Sequence, residues 1–212
     1  MALEFRKMKR EEIRQAADLA ARAFEDYEYF TLWFPDKAER KRVQFSLIWH
    51  EYRTNFRRAD YLSALKDGVM VAVAQLNPPS YRKPSDLNYL LHGWLAVYKT
   101  GDRNRIDEWL AMDAAAGQPC HDYQKTGADI WYASSLTVHP DVQGSGIGTE
   151  FISFWEKYVR EHGGRELVFF TNSEENLQFY LKRGYEFFHQ QTIEYRGEKM
   201  GSWSLRKTIV LP

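Results

Sequence analysis

Between Leu136 and Gly148 the chain reads Leu-Thr-Val-His-Pro-Asp-Val-Gln-Gly-Ser-Gly-Ile-Gly. The aromatic and branched residues of Asp129–Val138 predict a strand. Gly144, Gly146 and Gly148 at alternate positions predict a tight turn. Ser145–His162 then predicts a long helix, with Ile147, Phe151, Phe154, Trp155 and Tyr158 on one side. Glycines let a backbone approach a ligand closely. The first N–H groups of a helix lack intrahelical partners, and the dipole is positive there. The turn is therefore a candidate phosphate site.

Two phosphate-binding patterns are excluded by spacing. The glycines do not follow Gly-x-Gly-x-x-Gly, and no Gly-Lys-Ser/Thr closes the loop. Composition narrows the partner further. The 212 residues hold 29 Lys plus Arg and 29 Asp plus Glu, a net charge of zero that argues against a nucleic-acid binder. Any phosphate here is held mainly by backbone. The apolar fraction of 44% fits a globular chain with a real core. No apolar run approaches a membrane span, and Met1–Arg10 lacks a signal-peptide core, so a cytoplasmic protein is expected. The single cysteine, Cys120, excludes an internal disulfide and a cysteine-rich zinc site, and the histidines show no metal spacing.

The rest of the chain alternates strands and helices. Leu3, Phe5 and Lys7–Met8 predict a short strand. Glu11–Phe24 predicts a helix, with Ile13, Ala16, Ala17, Ala20 and Phe24 on one face. A second helix is expected from Asp36, its cap, to Arg58. Tyr61–Lys66, Asp67-Gly68 and Val69–Leu76 read as a hairpin, since Asp-Gly tolerates positive φ. From about residue 85 to 122 a helical insertion is expected. Leu87, Leu90, Leu91, Trp94, Leu95 and Tyr98 predict one helix, and Ile106, Trp109, Leu110 and Met112 a second. Beyond the glycine loop, Glu166–Thr171 predicts a strand, Ser173–Arg183 a helix, and Tyr185–Tyr195 and Lys199–Val210 two more strands. One domain over residues 1–212 is expected, of mixed α/β (α+β) class.

Two blocks carry a family resemblance. Gln143-Gly144-Ser145-Gly146-Ile147-Gly148 resembles the pyrophosphate signature Gln/Arg-x-x-Gly-x-Gly/Ala of the GNAT acetyltransferases, N-acetyltransferases that use acetyl-coenzyme A. Asn176–Glu186, with Tyr180 followed by Gly184-Tyr185, resembles that family's Tyr-x-x-x-Gly-Phe/Tyr helix end. The resemblance implies a twisted, mostly antiparallel sheet with helices on both faces. It implies acetyl-CoA as co-substrate and a primary amine as acceptor. It places the pantetheine arm along the backbone of Leu136, Thr137 and Val138, the pyrophosphate on the N–H groups of Gln143–Gly148, and Thr149, Asn172 and Asn176 at polar contacts.

Acetyl transfer needs a polarised carbonyl, a neutral amine and a protonated leaving sulfur. Backbone N–H groups at Leu136–Val138 are candidates for the first. Tyr180 is the candidate acid, because a tyrosine keeps its proton at neutral pH. Relatives often carry a glutamate on the strand before the loop, and Asp129–Ser135 has none. Glu28 and Asp26 are candidate bases, with Ser134 or Ser135 as a water relay. The aromatic stretch Tyr27–Phe34, with Trp94, Tyr98 and Trp109, is the candidate acceptor site. Lys182 or Arg183 is a candidate for an outer phosphate. Lys37–Arg42 and Arg57-Arg58 read as solvated faces, His139 as a turn residue, and Cys120 as no nucleophile. The leading reading is a small-molecule N-acetyltransferase, monomer or homodimer. A protein or peptide acceptor and a non-catalytic acyl-CoA sensor are the alternatives.

Overall fold

In the computed structural model, which describes residues 3–209, the chain runs β1 (Leu3–Lys7), α1 (Ile13–Ala23), α2 (Glu28–Thr31), α3 (Lys37–Asn55), β2 (Asp60–Lys66), β3 (Val69–Asn77), α4 (Asp86–Leu91), α5 (Arg103–Gln124), β4 (Ile130–Val138), α6 (Ile147–Glu161), β5 (Glu166–Thr171), α7 (Glu174–Leu181), β6 (Glu186–Tyr195) and β7 (Glu198–Thr208). The seven strands form one sheet in the order β1-β2-β3-β4-β5-β7-β6. Among the described residues only β4 and β5 pair in parallel. Helices cover both faces, as the resemblance implies. Because successive strand residues face opposite ways, Ala72, Ala74, Leu167 and Phe169 meet α6 and α7, with Phe151, Trp155 and Val159. Val73 meets Ala16, Ala17 and Ala20 of α1 on the other side, and Val168 meets Cys120 of α5.

Local signals explain most boundaries. Asp36 caps α3 by accepting from the Glu39 N–H. Asp67 and Gly68 take φ of 50° and 81°, the turn that joins β2 to β3. Val210 lies outside the described residues.

One expectation is corrected between β3 and β4. The single helix expected over Leu87–Tyr98 is α4 followed by a tighter 3-10 turn, Trp94–Lys99. Gly93, at φ 85°, breaks it. Its leucines do not face the core: Leu87 is 63% exposed and Leu91 76%. The next helix, α5, runs on to Gln124 through Gly117 and Pro119. Proline cannot donate to the Ala115 carbonyl. Gln191 Nε2 on β6 approaches that carbonyl instead, at 3.4 Å. One charge cluster is also corrected. Arg40 is buried, and its guanidinium donates to the carbonyls of Glu25 and Phe34 at 2.7 Å each. It ties both ends of the aromatic stretch to α3. Among the described residues no helix is long and apolar enough to cross a membrane.

Candidate active site

The site begins where the sheet comes apart. β4 and β5 are paired only at Ile130–Tyr132 against Glu166–Val168. Opposite β3, Ser135 aligns with Gln75 and Ala133 with Leu76, which leaves Ser134 as an extra, bulged residue. A bulge bends its strand and sharpens the local twist. From Ala133 to Val138 the edge of β4 that faces β5 therefore has no strand partner among the described residues. This free edge is where the sequence places the backbone of Leu136, Thr137 and Val138. The Thr137 side chain turns inward and its hydroxyl donates to the Val73 carbonyl at 3.2 Å. Since the next hydrogen-bonded pair is His139 with Val71, the Thr137 backbone faces β3, and it is the backbone of Leu136 and Val138 that faces the gap.

The glycine turn closes one end of the gap. Gly144 and Gly146 stand at φ 75° and 89°, and a Cβ on either would meet open space. Gly148 does not need positive φ, and a Cβ there would rest 3.6 Å from Val138. The N–H groups of Gln143 and Ser145 are already engaged, with the carbonyls of Pro140 (3.2 Å) and Val142 (3.4 Å). Among the described residues, those of Gly144, Gly146, Ile147 and Gly148 have no acceptor in the protein. The anion cradle is thus narrower than the expected Gln143–Gly148 run. Thr149 accepts a hydrogen bond from Arg183, whose guanidinium also stacks on Phe179, 3.4 Å from the ring centroid. Arg183 therefore stands beside the cradle.

Beyond the gap lies a cavity of about 240 Å³. Ala133–Leu136 of β4, Phe169–Asn172 at the end of β5, and Asn176 and Tyr180 of α7 form its sheet side. Tyr180 is 8% exposed, and no protein group among the described residues partners its hydroxyl. Burial pushes that hydroxyl well above its ordinary pKa, so it holds its proton. Asn172 lines the cavity, but its side-chain amide donates to the Gly201 carbonyl at 3.2 Å and its N–H to the Tyr27 hydroxyl at 3.0 Å. Asn176 remains exposed at the mouth.

The helical side brings together residues far apart in sequence. Tyr27, Tyr29 and Phe30 come from the α2 segment, Glu51 and Tyr52 from α3, Trp94 from the 3-10 turn, and Trp109 and Asp113 from α5. Phe30 and Trp109 stack at 4.8 Å. Trp109 Nε1 donates to the Tyr29 carbonyl at 2.9 Å, and the Tyr29 hydroxyl donates to Asp113. Trp33, Phe34 and Tyr98, expected with this group, lie outside the cavity. Trp33 stacks on Tyr195 at 4.5 Å, Phe34 is fully buried, and Tyr98 donates to Asp107.

The carboxylates are not those named from the sequence. Glu28 is exposed on α2, which turns Tyr29 and Phe30 inward instead. Asp26 is exposed and faces Arg40 at 3.5 Å. Glu51 occupies the cavity wall. It accepts from Asn55 Nδ2 at 2.7 Å and from the Tyr89 hydroxyl at 3.1 Å. Enclosure by the protein pushes its pKa up to about 7. The Tyr89 hydrogen bond opposes the shift and the charge of Asp113 adds to it. Asp113 is raised for the same first reason, against the hydrogen bond from Tyr29. A glutamate inside a charged and aromatic helix reads as a surface residue, so no local signal marks it. Cys120 is buried and its thiol is pushed up to about 12, which leaves it inert.

Residues 109–187 match the family model described as acetyltransferase (GNAT) domain. No curated protein matches the sequence. Among solved structures, a Salmonella typhimurium protein with its cofactor acetyl-CoA superposes with a TM-score of 0.61 at 12% identity, over 99% of this chain and 95% of that one. PaiA N-acetyltransferase from Thermoplasma acidophilum, in complex with coenzyme A, gives 0.57 at 12% identity, over 98% and 99%. The ribosomal-protein-S18-alanine N-acetyltransferase from Escherichia coli gives 0.60 at 10% identity, over 100% and 96%. These likenesses establish a shared fold.

Proposed function

We propose that this chain, whose residues 109–187 match a GNAT acetyltransferase domain, moves the acetyl group of acetyl-CoA to a primary amine of a small molecule. The observation that carries the reading is the succession of three features along β4 and the turn that follows it. They are the unpartnered edge of β4, the free N–H groups of Gly144 and Gly146–Gly148, and a cavity walled by Tyr180 and Glu51. These residues fit the co-substrate. An extended amide-bearing arm can pair with an open strand edge as an added strand does, and a pyrophosphate suits the unpaired N–H groups at the start of α6. Bound acetyl-CoA supplies an acetyl thioester, whose C–S bond is exchanged for a C–N bond.

The chain's own groups handle the protons. An amine arrives as an ammonium and cannot attack until it loses a proton. Glu51, with its pKa near 7, is matched to take that proton at neutral pH. Tyr180 holds a proton at its Oη and faces the cavity. It is placed to donate to the departing sulfur and to recover the second proton of the nitrogen. The N–H groups of the open β4 edge supply donors for the carbonyl oxygen. The volume of about 240 Å³ falls below the roughly 300–1,000 Å³ of pockets that take drug-sized ligands. That supports a small acceptor over a protein chain.

The test is thiol release from acetyl-CoA with a panel of small amines and lysine-bearing peptides. Release with small amines, rising as pH passes about 7, is expected. Release with peptides alone would reject the small-molecule acceptor. Binding of acetyl-CoA with no release for any amine would reject the enzyme.

A further inference from the structure

We propose that the acceptor is a small diamine, held with its reacting nitrogen at Glu51 and its second nitrogen, as an ammonium, at Asp113. This rests on the acetyltransferase reading above and specifies its substrate.

The cavity holds two carboxylates, Glu51 and Asp113. Neither forms an ion pair with a lysine, arginine or histidine among the described residues. Lys83, whose charge favours both, is exposed and bridges to neither. Enclosed carboxylates are normally paired. Two further acceptor atoms stand open. Asp113 takes the Tyr29 hydroxyl on Oδ1, and no protein donor among the described residues reaches Oδ2. Gln75 lines the same cavity at 1% exposure. Its Nε2 donates to Asn77 at 3.2 Å, while its Oε1 receives nothing among the described residues. The cavity thus offers acceptors and asks for donors.

Charge arithmetic distinguishes one nitrogen from two. A monoamine that gives its proton to Glu51 becomes neutral, and Asp113 is left without a counter-charge. A diamine leaves one ammonium in place to balance it. The walls around Asp113 are suited to that cation. Tyr29, Phe30 and Trp109 line the cavity on that side, and a wall of aromatic rings is compatible with an ammonium. A carboxylate or phosphate on the acceptor would face Glu51 and Asp113 and be repelled.

The test is direct binding to the whole protein without acetyl-CoA, by calorimetry, using putrescine, cadaverine, butylamine and γ-aminobutyrate. One of the diamines is expected to bind at least about tenfold more tightly than butylamine, the gain of one charge-assisted contact, and γ-aminobutyrate more weakly than butylamine. Asp113→Asn is expected to reduce the diamine-to-butylamine ratio below about threefold. Equal affinity for diamines and butylamine in the wild-type protein overturns the proposal. So does a ratio that survives Asp113→Asn. If that variant fails to fold, the wild-type ratio decides alone. Thiol release with butylamine and no diamine preference would reject the diamine but keep the acetyltransferase. Diamine binding without thiol release from any amine would do the reverse.

Discussion

In the proposed reaction Tyr180 and Glu51 divide the proton handling because their surroundings push them to different ends of the neutral range. Burial raises both, but a phenol starts near 10 and a carboxylate near 4.5. The first therefore stays protonated while the second titrates near 7. Tyr180→Phe removes one hydroxyl and leaves the ring packed on Phe169, at 4.4 Å. It is expected to lower kcat toward the low end of the roughly 10²–10⁴ that a positioned acid supplies, because a thiolate leaves readily. The dissociation constant of acetyl-CoA, measured by calorimetry, is expected to stay within about threefold, since the hydroxyl has no protein partner to disturb. Unchanged kcat would refute the acid role. Tyr180 was legible in the sequence because it sits in a contiguous motif. Glu51 and Asp113 were not, because only the packing of α3 against α5 gives them a common cavity, and each alone reads as a solvated helix residue.

At the scale of elements, the strand–turn–helix unit shows the same division. Its glycines mark the turn, yet only Gly144 and Gly146 adopt the left-handed backbone. Gly146→Glu combines a strained φ with a negative charge at the N-terminus of α6, where the free N–H groups would face phosphate. Loss of measurable acetyl-CoA binding is expected, with the circular-dichroism spectrum retained because a side chain there meets open space. Retained binding would remove the loop from the site. Elements with local punctuation were readable: Glu166–Thr171 is a strand as expected, and the Asp67-Gly68 hairpin forms. The elements between β3 and β4 were less so. The leucines of α4 imitate a buried stripe although solvent covers them, and the continuation of α5 to Gln124 has no signal of its own, since Gln191, from a distant strand, approaches the carbonyl that Pro119 leaves free. In both, a partner distant in sequence, or the lack of one, overrides the local pattern.

For the molecule as a whole, an enclosed carboxylate held near pH 7 carries a stability cost. Glu51 has a higher pKa folded than unfolded, so between about 4.5 and 7 the folded state binds the extra proton. Stability from this group falls as pH rises through that window and stays reduced above it. Glu51→Gln is expected to raise unfolding free energy at pH 8 by about 1–3 kcal/mol, and to change it little at pH 4, where both side chains are neutral. Urea denaturation at the two pH values measures this, and equal effects at both would contradict it. The same variant is expected to lose amine-dependent turnover. The sheet carries a second consequence. β1–β4 and β5–β7 are joined along its middle by three residue pairs, and below that seam the two halves lean apart. An extended arm laid along the open edge of β4 would work as a row of missing stitches. Each arrival of the co-substrate would then also fasten one half of the protein to the other, and each departure would loosen it.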